Sequence, residues 1–191
     1  MIKENLVRSS GLFDEQHMGS FLEALEFAAL KHRLQMRKDG SSPYINHLIA
    51  VASLLWFEGG IRAPELLLAA LLHDTLEDTE TRVSELEEKF GAEVCALVQE
   101  VTDDKSLSKA RRKQLLVEMA GRMSPGARQL LLADKCSNMK DLLKAVPLGW
   151  SRTRVREYFL WGQELLEQLR GTNAGLEGAY RRTLEEGLRK F

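Results

Sequence analysis

Apolar positions recur along this chain at three- and four-residue intervals, and the alternating β-branched runs that mark strands are missing. The spacing predicts a first helix over about 19–35, ended by the polar loop 37–43. A second runs over about 45–58 and stops at Gly59-Gly60. Pro64 opens a third, because a fixed φ and a missing N–H suit the first helical position. Ser84 with Glu87 three residues on predicts a capping box for a fourth, which ends near Gly91. Further helices are expected at about 92–101, 107–121, 126–143, 152–170 and 172–189, punctuated by Pro125, Pro147 and Gly171. No repeat, low-complexity tract or linker interrupts the pattern. The expectation is all-α: one helical domain over 1–191, with a core of about 20–170 and an extra C-terminal helix at 172–189.

The third segment departs from an ordinary amphipathic pattern. Residues 66–72 are apolar without a break, so they cover every face, and the helix is expected to be buried all round. It then runs into His73-Asp74-Thr75-Leu76-Glu77-Asp78, one histidine and three carboxylates. Carboxylates at the C-terminal end of a helix oppose its dipole, and burying them without partners costs several kcal/mol each. A bound cation removes that cost. Read as continuous helix, His73 and Asp74 grip one ion from adjacent faces, about 100° apart, and Glu77 and Asp78 stack one turn further on. The competing reading is a helix end that emerges into water.

Two more segments end or begin an apolar stretch with a ligand type. His47 lies in the first turn of the second helix, and Asp134 follows Gln129-Leu130-Leu131-Leu132-Ala133. Taken singly, each reads as well as a satisfied core or capping residue. Taken with His73 and Asp74, they make two imidazoles and two carboxylates, a set suited to Mn, Fe, Zn or Mg rather than soft copper.

Composition narrows the partners. The 191 residues suffice for a real core. Lys and Arg number 27 against 28 Asp and Glu, for a net charge of -1. That balance argues against a nucleic-acid coat or a membrane-surface protein, while leaving room for a local basic pocket. Cys95 and Cys136 have no C-x-x-C spacing and read as core residues, not as a disulfide or zinc site. The N-terminus lacks an apolar signal core, and no run of about 18 apolar residues is present, so a soluble cytoplasmic protein is expected.

The motifs together carry a resemblance. His47, His73-Asp74 and Asp134 resemble the H…HD…D signature of the HD phosphohydrolase superfamily. More narrowly, Arg37-Lys38…Pro43-Tyr44-Ile45-Asn46-His47, the run from Ala69 through His73-Asp74-Thr75-Leu76-Glu77-Asp78, and Leu132-Ala133-Asp134-Lys135…Asn138 resemble the hydrolase domain of RelA/SpoT-type alarmone enzymes. Phe90-Gly91-Ala92-Glu93-Val94, Glu100-Val101-Thr102-Asp103-Asp104-Lys105 and Gly149-Trp150 extend it over about residues 20–170. Leu48 and Cys136-Ser137 depart from the family pattern without removing a ligand.

The resemblance implies a stand-alone small alarmone hydrolase with an HD-domain helical bundle. Its reaction removes pyrophosphate from the 3′ position of ppGpp or pppGpp, with Mn2+ as the usual metal and a small guanosine nucleotide as its partner. It further implies that His47, His73, Asp74 and Asp134 hold the metal, and that Glu77 and Asp78 activate the water. Arg37, Lys38, Tyr44, Lys109, Asn138 and Arg154 match residues near the nucleotide. On this reading Arg37 clamps phosphate bidentately and Tyr44 stacks on base or ribose, whereas Arg111 and Lys113 belong to a solvated helix face. Another HD-type nucleotide phosphohydrolase and a non-catalytic alarmone-binding module are the alternatives. Oligomeric state is left open.

Overall fold

A computed structural model describes residues 15–191. Among these the architecture is helical: α1 (Glu15–Lys31), α2 (Ile45–Phe57), α3 (Pro64–Leu72), α4 (Thr75–Asp78), α5 (Val83–Phe90), α6 (Ala92–Val101), α7 (Lys109–Ala120), α8 (Pro125–Lys144), α9 (Arg152–Gln168) and α10 (Ala174–Lys190). The only β pairing among them is an isolated bridge between Met36 and Pro43. The expected element order therefore holds, and the differences are local.

Helix α3 is the hub. Every residue except Glu65 is buried, and α1, α2, α6 and α8 pack around it. An apolar run with no polar face is stable at the centre of a helical bundle, where every side is covered. Leu48, one of the departures from the family pattern, is fully buried in the same core. So are Cys95 and Cys136, both as free thiols. No helix among the described residues is long and apolar enough to cross a membrane.

Three sequence expectations change. The first helix ends at Lys31 rather than near Gln35. The Gln35 carbonyl accepts from Tyr44 N at 3.0 Å, and its side chain donates to the Asp78 carbonyl at 2.6 Å, so the chain leaves the helix to brace the site. The third helix does not run through to Asp78. Asp74 sits at φ -96, ψ -2, and the Thr75 hydroxyl donates to the Leu72 carbonyl at 2.6 Å, which turns the chain at His73-Asp74 before α4. The capping box is not formed: α5 begins after Arg82, no side chain caps it, and Ser84 lies inside the helix.

The C-terminal helix is part of the bundle. It packs on α8 and α9, and Gly175 lets it approach closely: a Cβ there would lie 1.9 Å from the Glu58 carbonyl oxygen. The buried Tyr180 hydroxyl donates to the Gly162 carbonyl at 2.9 Å, tying α10 to α9. Helix α10 thus supports from behind the two helices that carry Asp134 and Arg154.

Candidate active site

Four side chains from three elements meet at the open end of α3. His47, buried in the first turn of α2, places Nε2 3.1 Å from Asp134 Oδ1 and 3.7 Å from Asp74 Oδ2. His73 Nε2 lies 3.3 Å from Asp74 Oδ2 and 3.7 Å from Asp134 Oδ1. One ligand atom each from His47, His73 and Asp134 lie within 4.8 Å of one another. Asp74 completes the group, its side chain 16% exposed.

The second ring nitrogens decide what this cluster can hold. His73 Nδ1 donates to the Ala70 carbonyl at 2.8 Å, which turns Nε2 of the neutral ring inward as a lone pair. That Nε2 is buried and has no hydrogen-bond partner. It faces two carboxylate oxygens, an arrangement of electron pairs that only a cation or a proton satisfies. Burial opposes charging His73, but the Asp74 carboxylate, followed by Asp134, outweighs it and pushes the ring up to about 9. His47, with Nδ1 against Ser137 Oγ at 3.1 Å, is held neutral chiefly by burial. Two inward imidazoles and two carboxylates fit a divalent cation.

A supporting layer orients these ligands. The Tyr44 hydroxyl donates to Asp74 Oδ2 at 2.7 Å and lies 3.2 Å from Asp78 Oδ2. Its ring stacks on buried His32 at 4.8 Å, and the Arg37 guanidinium lies over it at 5.3 Å. The ring expected to stack on base or ribose is half-buried, with His32 stacked on it and the Arg37 guanidinium over it. Asp134 is engaged twice more: Lys135 Nζ lies 2.6 Å from Oδ2, and Asn138 Nδ2 donates to Oδ1 at 2.6 Å. Burial works against the Asp134 carboxylate, but Lys135 first and then the two histidines hold it well below the usual range.

Asn138 also accepts from Arg37 at 2.7 Å, and Arg37 donates from Nε and a terminal nitrogen to Asp141 at 3.1 and 2.9 Å. Asp134, Asn138 and Asp141 follow at helical spacing on one face of α8. The Arg37 fork, expected to clamp phosphate, here links its loop to α8 through Asn138 and Asp141. A cleft opens beside this link, lined by Lys38, Asn138, Trp150 and Tyr158 among others. Lys38, Lys109 and Arg154 converge on the Trp150 ring, at 5.8, 5.4 and 4.2 Å from its centre.

Glu77 and Asp78 lie on α4, directly after Asp74. Asp78 contacts Lys105 and Tyr44. Glu77 accepts from the Asp103 backbone N–H at 3.3 Å and lies 3.5 Å from Lys105 and 3.8 Å from Arg112. Burial raises the Glu77 carboxyl above its ordinary value. Helix α7 divides as only packing could decide. Arg111 points outward to Glu118, as expected. Lys113 does not belong to a solvated face: it lies over the Tyr158 and Trp161 rings.

A family model described as HD domain matches residues 24–142, which include both histidines and both aspartates of the cluster. The chain belongs to the HD-domain family. Within that family it is similar to the mouse (Mus musculus) guanosine-3′,5′-bis(diphosphate) 3′-pyrophosphohydrolase MESH1, at 53% identity over 166 residues, 86% of this chain and 93% of the mouse protein. The Aquifex aeolicus guanosine-3′,5′-bis(diphosphate) 3′-pyrophosphohydrolase is 40% identical over 133 residues, 66% of this chain but 18% of that longer protein. A solved structure of a metazoan SpoT orthologue, described as hydrolysing ppGpp and acting in starvation responses, superposes with a TM-score of 0.85. It is 46% identical and covers 88% of this chain and 96% of the other.

Sequence reasoning assigned no role to Lys135, Lys105, Trp150, His32 or Ser137. Lys105, Lys135 and Trp150 stood inside quoted motifs, but only their contacts distinguish them from bystanders. His32 carried no signal, and Ser137 stood out only as a departure from the family pattern, since its partner His47 lies far along the chain.

Proposed function

We propose that this protein hydrolyses guanosine 3′,5′-bis(diphosphate), and its 5′-triphosphate counterpart, to pyrophosphate and GDP or GTP, using Mn2+. The observation that carries the reading is the buried His47–His73–Asp134 cluster, with Asp74 against both imidazoles and Glu77 and Asp78 one turn away. The similarity to MESH1 over most of both chains supports the choice of substrate.

His47, His73, Asp74 and Asp134 would hold the metal. The divalent cation, when bound, lowers the pKa of water and polarises a phosphate oxygen. Glu77 is assigned as the group that orients the attacking water and accepts its proton. Its carboxyl is raised above its ordinary value by burial; Lys105 reaches both carboxylates, and Asp78 alone also meets the Tyr44 hydroxyl, which braces the site. Tyr44 holds Asp74 and Asp78 in register. Lys38, Lys109 and Arg154 bind the 5′-phosphates as three cations around Trp150, and none of the three is ion-paired among the described residues. Asn138 and Arg37 form the wall between metal and 5′-phosphates and fix the distance between them.

Incubation with ppGpp and Mn2+ tests the reading. Pyrophosphate and GDP should appear and should vanish with chelator. Release of orthophosphate alone would assign the chain to another HD-type reaction, and tight nucleotide binding without turnover would make it a binding module.

A further inference from the structure

Lys113 sits one turn beyond Lys109 on α7, about 6 Å further along the helix. Its ammonium lies 5.0 Å from the centre of the Tyr158 ring and 4.6 Å from that of Trp161. Tyr158 in turn lies 6.2 Å from Trp150 and lines the cleft. Lys113 therefore continues the row of cations that begins with Lys38, Lys109 and Arg154 around Trp150. Like them, it has no carboxylate within ion-pair distance among the described residues.

Burial first, and then repulsion from Lys109, pushes the Lys113 amine down to about 8, with Arg154 and Lys135 adding to the effect and Glu157 opposing it. A half-buried ammonium with cations for neighbours and aromatic faces beside it gains more from an anion than a surface lysine does. The cluster around Trp150 has cations for a 5′-diphosphate. One further phosphate on the 5′ chain would meet the next cation in the row, Lys113, over the Tyr158 and Trp161 rings.

We infer that Lys113 is a specificity-determining residue that receives the terminal phosphate of a 5′-triphosphate, so that the site accepts pppGpp alongside ppGpp. The inference rests on the alarmone-hydrolase reading above. It uses lysine as a flexible point charge, suited to a mobile chain end.

The test is steady-state pyrophosphate release from ppGpp and from pppGpp by the full chain with Mn2+, for the unsubstituted protein, Lys113→Met and Lys113→Arg. In Lys113→Met, kcat/KM for pppGpp should fall about tenfold through KM, the loss of one charge-assisted contact. The value for ppGpp should change less than about twofold, and Lys113→Arg should keep both. An equal fall for both nucleotides, or no change for either, would overturn the inference and leave Lys113 as packing for Tyr158 and Trp161. Turnover of ppGpp but not pppGpp by the unsubstituted protein would also overturn it. Turnover of neither would refute the underlying reading instead.

Discussion

Tyr44→Phe separates two accounts of the same residue. The substitution removes one oxygen and keeps the ring, so the stack on His32 at 4.8 Å and the Arg37 contact at 5.3 Å survive. What is lost is the donor 2.7 Å from Asp74 Oδ2 and 3.2 Å from Asp78 Oδ2. A hydrogen bond to a charged acceptor contributes about 1.5–3 kcal/mol. Partners one step behind a metal ligand are worth roughly 10–100-fold in affinity or activity. With its donor gone, Asp74 keeps the two imidazoles but loses its fixed orientation. Mn2+ affinity or kcat should therefore fall by about 10–100-fold, while KM for ppGpp stays within about threefold, because no contact to nucleotide is removed. Isothermal titration with Mn2+ and steady-state pyrophosphate release measure the two quantities. If Tyr44 instead stacked on the base, phenylalanine would serve as well. Wild-type kcat and Mn2+ affinity in Tyr44→Phe would refute the bridging role.

Other expectations follow from the same geometry. Asp74→Ala should abolish metal binding and hydrolysis while circular dichroism stays helical; an active, metal-free variant would dismantle the assigned ligand set. Glu77→Gln should retain Mn2+ and nucleotide but lose turnover by about 100-fold or more, the usual worth of a general base, and undiminished turnover would remove Glu77 from the mechanism. Metal-free protein should lose stability as pH rises from 6.5 to about 9, because His73 holds its proton more tightly folded than unfolded, so its contribution is complete below the unfolded value and lost through the folded one. Saturating Mn2+ takes the proton's place, so a melting temperature that falls equally with and without metal across that window would contradict this picture. Gly175→Ala should lower stability by about 1–3 kcal/mol, since the added methyl meets backbone rather than a side chain that can swing away. An unchanged melting temperature would mean that α10 is not seated as closely as its 1.9 Å Cβ approach to the Glu58 oxygen requires.

Much of this molecule was legible in local pattern. The unbroken apolar run at residues 66–72 could only be a central helix, and it is the hub of the bundle. Pro64 opens α3, and Pro125 follows a capping Ser124 at the start of α8, because a proline's fixed φ and a side-chain cap act within one turn. His73-Asp74 stood out for the same kind of reason: charge at the end of a buried helix is locally unfavourable, and the fold brings both residues against His47 and Asp134. The capping box at Ser84 failed because residue type permits a cap but the preceding backbone decides where the helix begins. Which partners hold each carboxylate, what the Tyr44 hydroxyl meets, and whether Lys113 packs on aromatic rings were matters for tertiary structure alone. Each depends on a partner far along the chain: Asp78 on Lys105, Asp134 on His47, Arg37 on Asp141, Lys113 on Trp161. The sequence by itself determined the helices, the hub and the identity of the His and Asp pair, because those follow from periodicity and the cost of burying charge. The folded structure decided how the pair is oriented, tuned and flanked by cations, because hydrogen bonds and ion pairs form between residues that only packing brings within reach.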